Sequence, residues 1–312
     1  MLKTHGFNIL FTIIFISLFT SILLFYRAEV GNALLRDHLF PRHDTFNLAS
    51  CQAWAKEVRD FNVRADTMAN KVTVLVYHRV IQEKDIKSNL LHNDGSIVDT
   101  VIKKSNFEQQ MDWLYTEGYT TLTLKELELF MKGELNVPEK SVVITFDDGF
   151  KDNAYEAYPL LKEYGFNAVN FLITGLIEKH DHHYEPGSFQ YLSLDDLHNS
   201  CDVFEYGSHT YNFHKRTPDG DSFLISNNTK VVQSDIEVSI RHLDGSHYSF
   251  AFPYGEYNDT SIQLLRKLGF NMIFTSNYDD VHVGYPTNEI PRKEIFPDDG
   301  MKEFKAKLGH RR

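Results

Sequence analysis

Cysteine is nearly absent from this chain: two in 312 residues, Cys51 and Cys201, too few for a disulfide framework and without the paired spacing of a zinc-thiolate site. A single bridge between them stays open, with nothing in the sequence to argue for it. Positive charge is also scarce. Lys and Arg number 32 against 43 Asp and Glu, for a formal net charge of -11. No basic stripe is present, which excludes phosphate-backbone recognition and with it a nucleic-acid partner. Internal repeats and low-complexity tracts are missing too, while 24 Phe and 16 Tyr exclude a polar disordered chain. What remains is a folded, acidic protein whose surface suits a neutral or cationic polymer.

One apolar run stands out. Residues Phe7 to Tyr26 carry no charge, and about 20 such residues cross the ~30 Å hydrocarbon core as a helix. The alternative is a cleaved signal peptide, because Lys3 and His5 form a short basic region and Gly31-Asn32-Ala33 offers a cleavage site. The uncleaved anchor is preferred, since the run is long and no A-x-A site follows it. Both readings put the remainder outside the membrane, either anchored to it or secreted and associated with the cell surface. The expected organisation is a membrane segment over residues 1–27, a stalk over 28–70 with a short helix near Ala53 to Phe61, and one domain over 71–312.

From Lys71 onward strands and helices alternate. Lys71 to His78 is an apolar, β-branched run, and Ser141 to Phe146 a buried-type strand. Further strands are expected at Ala168 to Thr174, Val203 to Gly207, Ser249 to Phe252, Met272 to Phe274 and Ile290 to Ile295. Helices are expected at Asn153 to Tyr164, Lys230 to Leu243 and Thr260 to Leu268. Ser105-x-x-Glu108 and Thr123-x-x-Glu126 read as capping boxes opening two more. Strand-then-helix order with continuous apolar strands predicts an α/β fold with a largely parallel sheet or barrel and helices outside. Such folds gather reactive residues at the carboxyl ends of strands.

Four features fall at those ends. Thr145-Phe146-Asp147-Asp148-Gly149 sets two adjacent carboxylates where a strand turns; alone it is equally a turn with capping duty, but it also offers one carboxylate to a metal and its neighbour as a base. Ser208-His209-Thr210-Tyr211-Asn212-Phe213-His214 supplies two imidazoles five residues apart, which converge only from an irregular loop. With Asp148 they make two imidazoles and a carboxylate, a ligand set that leaves positions open on a divalent ion. Phe252-Pro253-Tyr254-Gly255 stops a strand and frees the Tyr254 N–H to face a developing oxyanion; alone it is equally a plain turn. Tyr77-His78-Arg79 puts a histidine on the same rim, which alone reads as a buried structural residue but beside the others can hand a proton to a leaving amine. His242, His247 and His282 read as ordinary structural or surface residues, and His180-Asp181-His182-His183 as a solvated loop.

Taken together and in this order, the motifs resemble the polysaccharide deacetylase family of metal-dependent carbohydrate esterases with the NodB homology domain. Asp147-Asp148 and His209 with His214 match its first two motifs, and Phe252-Pro253-Tyr254-Gly255 matches part of its third. Tyr77-His78-Arg79-Val80, Phe107 to Leu127, Asn153-Ala154-Tyr155 with Pro159-Leu160-Leu161-Lys162, and Ile290-Pro291-Arg292 are similar to the branch acting on poly-β-1,6-N-acetylglucosamine of biofilms. The resemblance implies an irregular (β/α) barrel of about seven parallel strands. It also implies Asp148, His209 and His214 as metal ligands, Asp147 as general base and His78 as general acid. A divalent ion such as zinc is implied, with cobalt, nickel or iron accepted by the same ligands. The implied partners are an extracellular N-acetylglucosamine polymer, the membrane through the N-terminal helix, and the components that export such a polymer. Two departures matter. The family arginine two positions before Pro253 is Ala251 here, and Arg292 is nominated to orient Asp147 instead. The family L-x-H motif finds a formal match in Leu308-Gly309-His310, which is set aside in favour of His78.

Overall fold

The computed structural model describes residues 11–21, 38–64 and 66–310. Residues 11–21 are helical, and among the described residues no helix is long and apolar enough to cross a membrane. The expected span from Phe7 to Tyr26 lies partly outside the described residues. The chain divides into two units, Met1–Leu39 and Phe40–Arg312, and the second carries everything that follows.

Its strands are β1 (Thr73–Tyr77), β2 (Arg79–Ile81), β3 (Val101–Lys103), β4 (Thr120–Thr121), β5 (Ser141–Asp148), β6 (Ala168–Leu172), β7 (Phe204–Ser208), β8 (Ser249–Ala251), β9 (Met272–Phe274) and β10 (Lys293–Glu294). Seven of them run in the order β10-β1-β5-β6-β7-β8-β9, all parallel, with β4 added beside β5. Ile290 makes a parallel bridge to Phe274 at the end of β9, and three residues later the same segment pairs as β10 with β1. Residues 290–294 therefore join the two ends of the sheet, as the expected barrel requires.

Valine, isoleucine and phenylalanine drive these strands because branched and aromatic side chains fill a pleated surface buried on both faces. Alternation splits each strand between two cores. Val74, Val143, Val169, Phe171 and Phe274 pack with the helix Leu124–Met131. Leu75, Tyr77, Ile144, Phe146 and Phe204 pack instead with Phe107, Met111 and Leu114 of the helix Lys104–Thr116 and with Leu161 and Leu197. Helices Thr229–His242 and Asp259–Lys267 cover β8 and β9 through Val232, Ile236, Leu264 and Leu265.

Three expectations are corrected. The stalk does not extend to residue 70. From Phe40 the chain is packed on the barrel: Phe40, Phe46 and Leu48 join the main core, Asp244 accepts hydrogen bonds from the backbone of Asn47, Leu48 and Ala49, and Arg59 pairs with buried Glu126. The helix expected near Ala53 to Phe61 is only the 3-10 turn Ala53–Lys56. Cys51 and Cys201 form a disulfide that clamps this segment to the end of the helix Leu194–Ser200. The Thr123 capping box forms as expected. Ser105 does not cap: its helix begins at Lys104 without a side-chain cap, because the Ser105 hydroxyl donates to Glu83.

Candidate active site

The upper rim is built from the turns that follow β5, β7 and β8, and each contains a non-glycine residue in the left-handed region: Asp148 at φ 74°, Thr210 at φ 76° and Tyr254 at φ 59°. Such conformations cost of order 1–3 kcal/mol and persist where surrounding contacts enforce them. After Asp148, Gly149 is also left-handed, and a Cβ there would meet the Leu172 side chain at 2.9 Å. The chain thus reverses abruptly, leaving two carboxylates buried at the strand end.

Asp147 shares a strand face with Val143 and Thr145. Its two oxygens accept from Arg292, Nη1 to Oδ1 at 2.6 Å and Nη2 to Oδ2 at 2.7 Å. Both residues are buried, and the guanidinium also donates to the Thr275 carbonyl and to Thr145 Oγ1. Burial pushes the Asp147 pKa up, but the charge of Arg292 and its hydrogen bonds outweigh it, holding the carboxyl well below the usual range. It is an anion at any physiological pH.

Asp148 faces the other way, toward His209 and His214. Its Oδ1 lies 3.2 Å from His214 Nε2 and 3.6 Å from His209 Nε2. Despite those distances no hydrogen bond reaches this buried oxygen. Burial, partly opposed by Asp147, lowers the His209 pKa to about 4, so its ring is neutral. Its Nδ1 is 2.8 Å from the Ala251 carbonyl, which fixes Nδ1 as the protonated nitrogen and leaves the Nε2 lone pair facing Asp148. The loop between the two histidines is held by Asp235, which accepts from the backbone of Tyr211 and Asn212. Ligand atoms of Asp148, His209 and His214 all lie within 4.8 Å of one another. An orphaned carboxylate oxygen opposite two imidazole nitrogens is a donor set that fits a divalent ion.

Around this cluster, Tyr254 packs on His214 with ring centres 4.3 Å apart and carries the Arg216 guanidinium 4.0 Å from its own ring centre. Tyr191 stacks on Phe150 at 5.1 Å, and burial with the Asp148 charge pushes its phenol up to about 12. His78 occupies the single position between β1 and β2, with Nδ1 3.9 Å from Glu294 Oε1.

Asp147, Asp148, His209, His214, Tyr254, Arg292 and His78 thus fall on one end of the barrel. Glu294 was missed, since only its pairing beside β1 brings it to His78. The run His180 to His183 contributes to no group of three ligands among the described residues; Asp181 instead accepts from the buried Lys151 ammonium. His310 lies 2.8 Å from the Tyr119 hydroxyl and packs on Trp113, at the strand starts. His242 is a core residue bound to the Thr174 carbonyl.

A parallel barrel that puts a base-like carboxylate beside a two-histidine, one-aspartate cluster belongs to the class of polysaccharide N-deacetylases, hydrolases of amide C–N bonds. The chain is a member of the polysaccharide deacetylase family, whose profile matches residues 134–273. It is 30% identical over 243 residues to the poly-beta-1,6-N-acetyl-D-glucosamine N-deacetylase of Staphylococcus aureus, an alignment covering 73% of this chain and 80% of that one. Among solved structures, IcaB from Ammonifex degensii superposes with a TM-score of 0.61 at 25% identity, over 78% of this chain and 97% of that one. The Streptococcus pyogenes deacetylase PplD, solved with acetate, gives 0.63 at 24% identity over 76% and 98% and shares the fold.

Proposed function

We propose that the chain removes N-acetyl groups from an extracellular poly-β-1,6-N-acetylglucosamine, with a divalent ion held by Asp148, His209 and His214. The observation that carries this reading is the convergence on one rim of an ion-paired carboxylate, a three-ligand cluster with an orphaned oxygen, and a partly exposed histidine. The printed activity of the Staphylococcus aureus relative supports the substrate. Zinc suits the ligands, and cobalt, nickel or iron are accepted by the same set. When bound, the ion supplies Lewis acidity, which acidifies water and polarises an amide carbonyl.

The protein supplies the rest. Asp147, ionised and held by Arg292, takes the proton of the attacking water. The Tyr254 N–H, presented by its left-handed backbone, faces the oxyanion that develops on the acetyl group. As the C–N bond breaks, the electron pair stays on nitrogen and His78 protonates it, giving acetate and a free amino sugar.

The disulfide supports an oxidising location outside the cytosol, in keeping with the apolar N-terminal run as an anchor or signal. The test is acetate release by the full chain from poly-β-1,6-N-acetylglucosamine and from β-1,4 oligomers, with and without chelator, beside Asp148→Ala. Chelator-sensitive release from the β-1,6 polymer that the variant loses supports the proposal. Release from β-1,4 oligomers alone overturns the substrate, and silence on both overturns catalysis.

A further inference from the structure

His78 has no ladder partner on either side, yet its surroundings are fixed by two adjacent residues of the turn that follows β5. Asn153 Nδ2 donates to the His78 carbonyl at 2.8 Å. Asp152 accepts from the Val80 N–H at 3.0 Å and from Arg79 Nε at 2.8 Å. Asn153 Oδ1 in turn accepts from Asn170 Nδ2 on β6 at 3.0 Å. Arg79, Asp152, Asn153 and Asn170 are all buried. A π-helical turn, Asn153–Ala157, starts at this point, and such wide turns occur mainly at functional positions.

Burying four polar side chains costs free energy that apolar residues would not, so packing alone does not account for them. Their arrangement does something packing does not: it ties His78 and the two residues after it, Arg79 and Val80, to the same short segment that bears Asp147 and Asp148. Base, ligand cluster and acid are then fixed relative to one another by residues 147–153.

We infer that Asn153, backed by Asp152 and Asn170, is the positioning residue of His78. Its amide sets the backbone from which the imidazole reaches the leaving nitrogen. This rests on the reading of His78 as the acid, and the test separates the two. An amide needs its leaving nitrogen protonated, whereas an aryl acetate ester expels a phenolate without that help. A residue that serves the acid therefore affects amide and ester differently; one that only supports the fold affects both alike.

The experiment measures kcat and KM of the metal-loaded full chain on an N-acetylglucosamine oligomer and on 4-nitrophenyl acetate, for His78→Ala, Asn153→Asp, Asn153→Ala and Asn153→Gln. Asn153→Asp keeps size and acceptor but loses the donor to the His78 carbonyl. His78→Ala is expected to lower amide kcat by about 100-fold or more with the ester within a few-fold. Asn153→Asp and Asn153→Ala are expected to lower amide kcat by about 10-fold with KM and the ester little changed, with partial recovery in Asn153→Gln. If His78→Ala keeps its amide-selective loss while the Asn153 variants lower both substrates equally, or neither, the inference is overturned and the acid stands. If His78→Ala itself lowers both equally, the acid falls and the positioning role with it.

Discussion

Arg292 binds Asp147 with both arms of its guanidinium, at 2.6 and 2.7 Å, while Ala251, two positions before Pro253, offers it no charge. A two-pronged contact fixes the plane of the carboxylate as well as its charge. Lysine offers one point charge and no plane. Arg292→Lys should therefore lower kcat about 10- to 100-fold. Arg292→Ala should do more and also raise the Asp147 pKa, because the interaction holding it down is gone. The acid limb of the kcat/KM profile should then move to higher pH, measured on a soluble acetylated oligomer. An unmoved limb would show that Asp147 is not the titrating base.

The orphaned oxygen of Asp148 makes the ligand cluster a place where an ion stabilises only the folded chain. At a concentration about 100 times its Kd, a metal binding the native state alone adds about 2.7 kcal/mol. Thermal melting with and without zinc should show this as a rise in Tm. Asp148→Asn should erase the rise and bring metal content, measured by elemental analysis, close to zero.

Reduction of Cys51–Cys201 opens a crosslink spanning 150 residues. Loss of a native bridge closing so long a loop costs about 2–4 kcal/mol. The Cys51→Ser, Cys201→Ser pair should melt about 5–10 °C lower than the native chain. Deacetylation at 25 °C should survive, since the bridge is remote from the rim.

Glu205 is buried near the start of β7, beside a cavity of about 550 Å³ that lies between residues 48–56 and the strand starts. Burial raises its pKa to about 8, from a model-compound value of 4.5. The folded state therefore holds a proton that the unfolded chain releases. That contribution is complete below pH 4.5 and is lost as pH rises toward 8. Glu205→Gln keeps an acceptor for the Leu124 N–H but cannot ionise. Its Tm should fall less than that of the native chain between pH 5 and pH 8, and equal slopes would place the proton elsewhere.

What the sequence disclosed follows from how locally each feature is encoded. Asp147 and Asp148 were visible because a β-branched run ends at them, and His209 with His214 because a second run ends just before. Arg292 was reached by asking what replaces a missing charge at Ala251. The packing of residues 40–64 was not visible, because its anchors lie far along the chain: Asp244 is 195–197 residues from the amides it binds. Pairing of the two cysteines was hidden for the same reason. Ser105 misled because the helix begins one residue before it, at Lys104, and its hydroxyl bonds Glu83 instead of a backbone N–H. Asn153 lay inside a recognisable segment, but its role depends on a carbonyl 75 residues earlier.

The segment that completes the ring also has a place in time. Arg292 lies 145 residues after Asp147, immediately before β10, the last of the described strands. A chain made only as far as the loop after β7 has its acidic pair and both histidines but not the cation paired with Asp147, which arrives only when residues 290–294 dock beside β1. The most distant pieces of the chain thus meet last, and the site is whole only once residues 290–294 have joined β9 to β1.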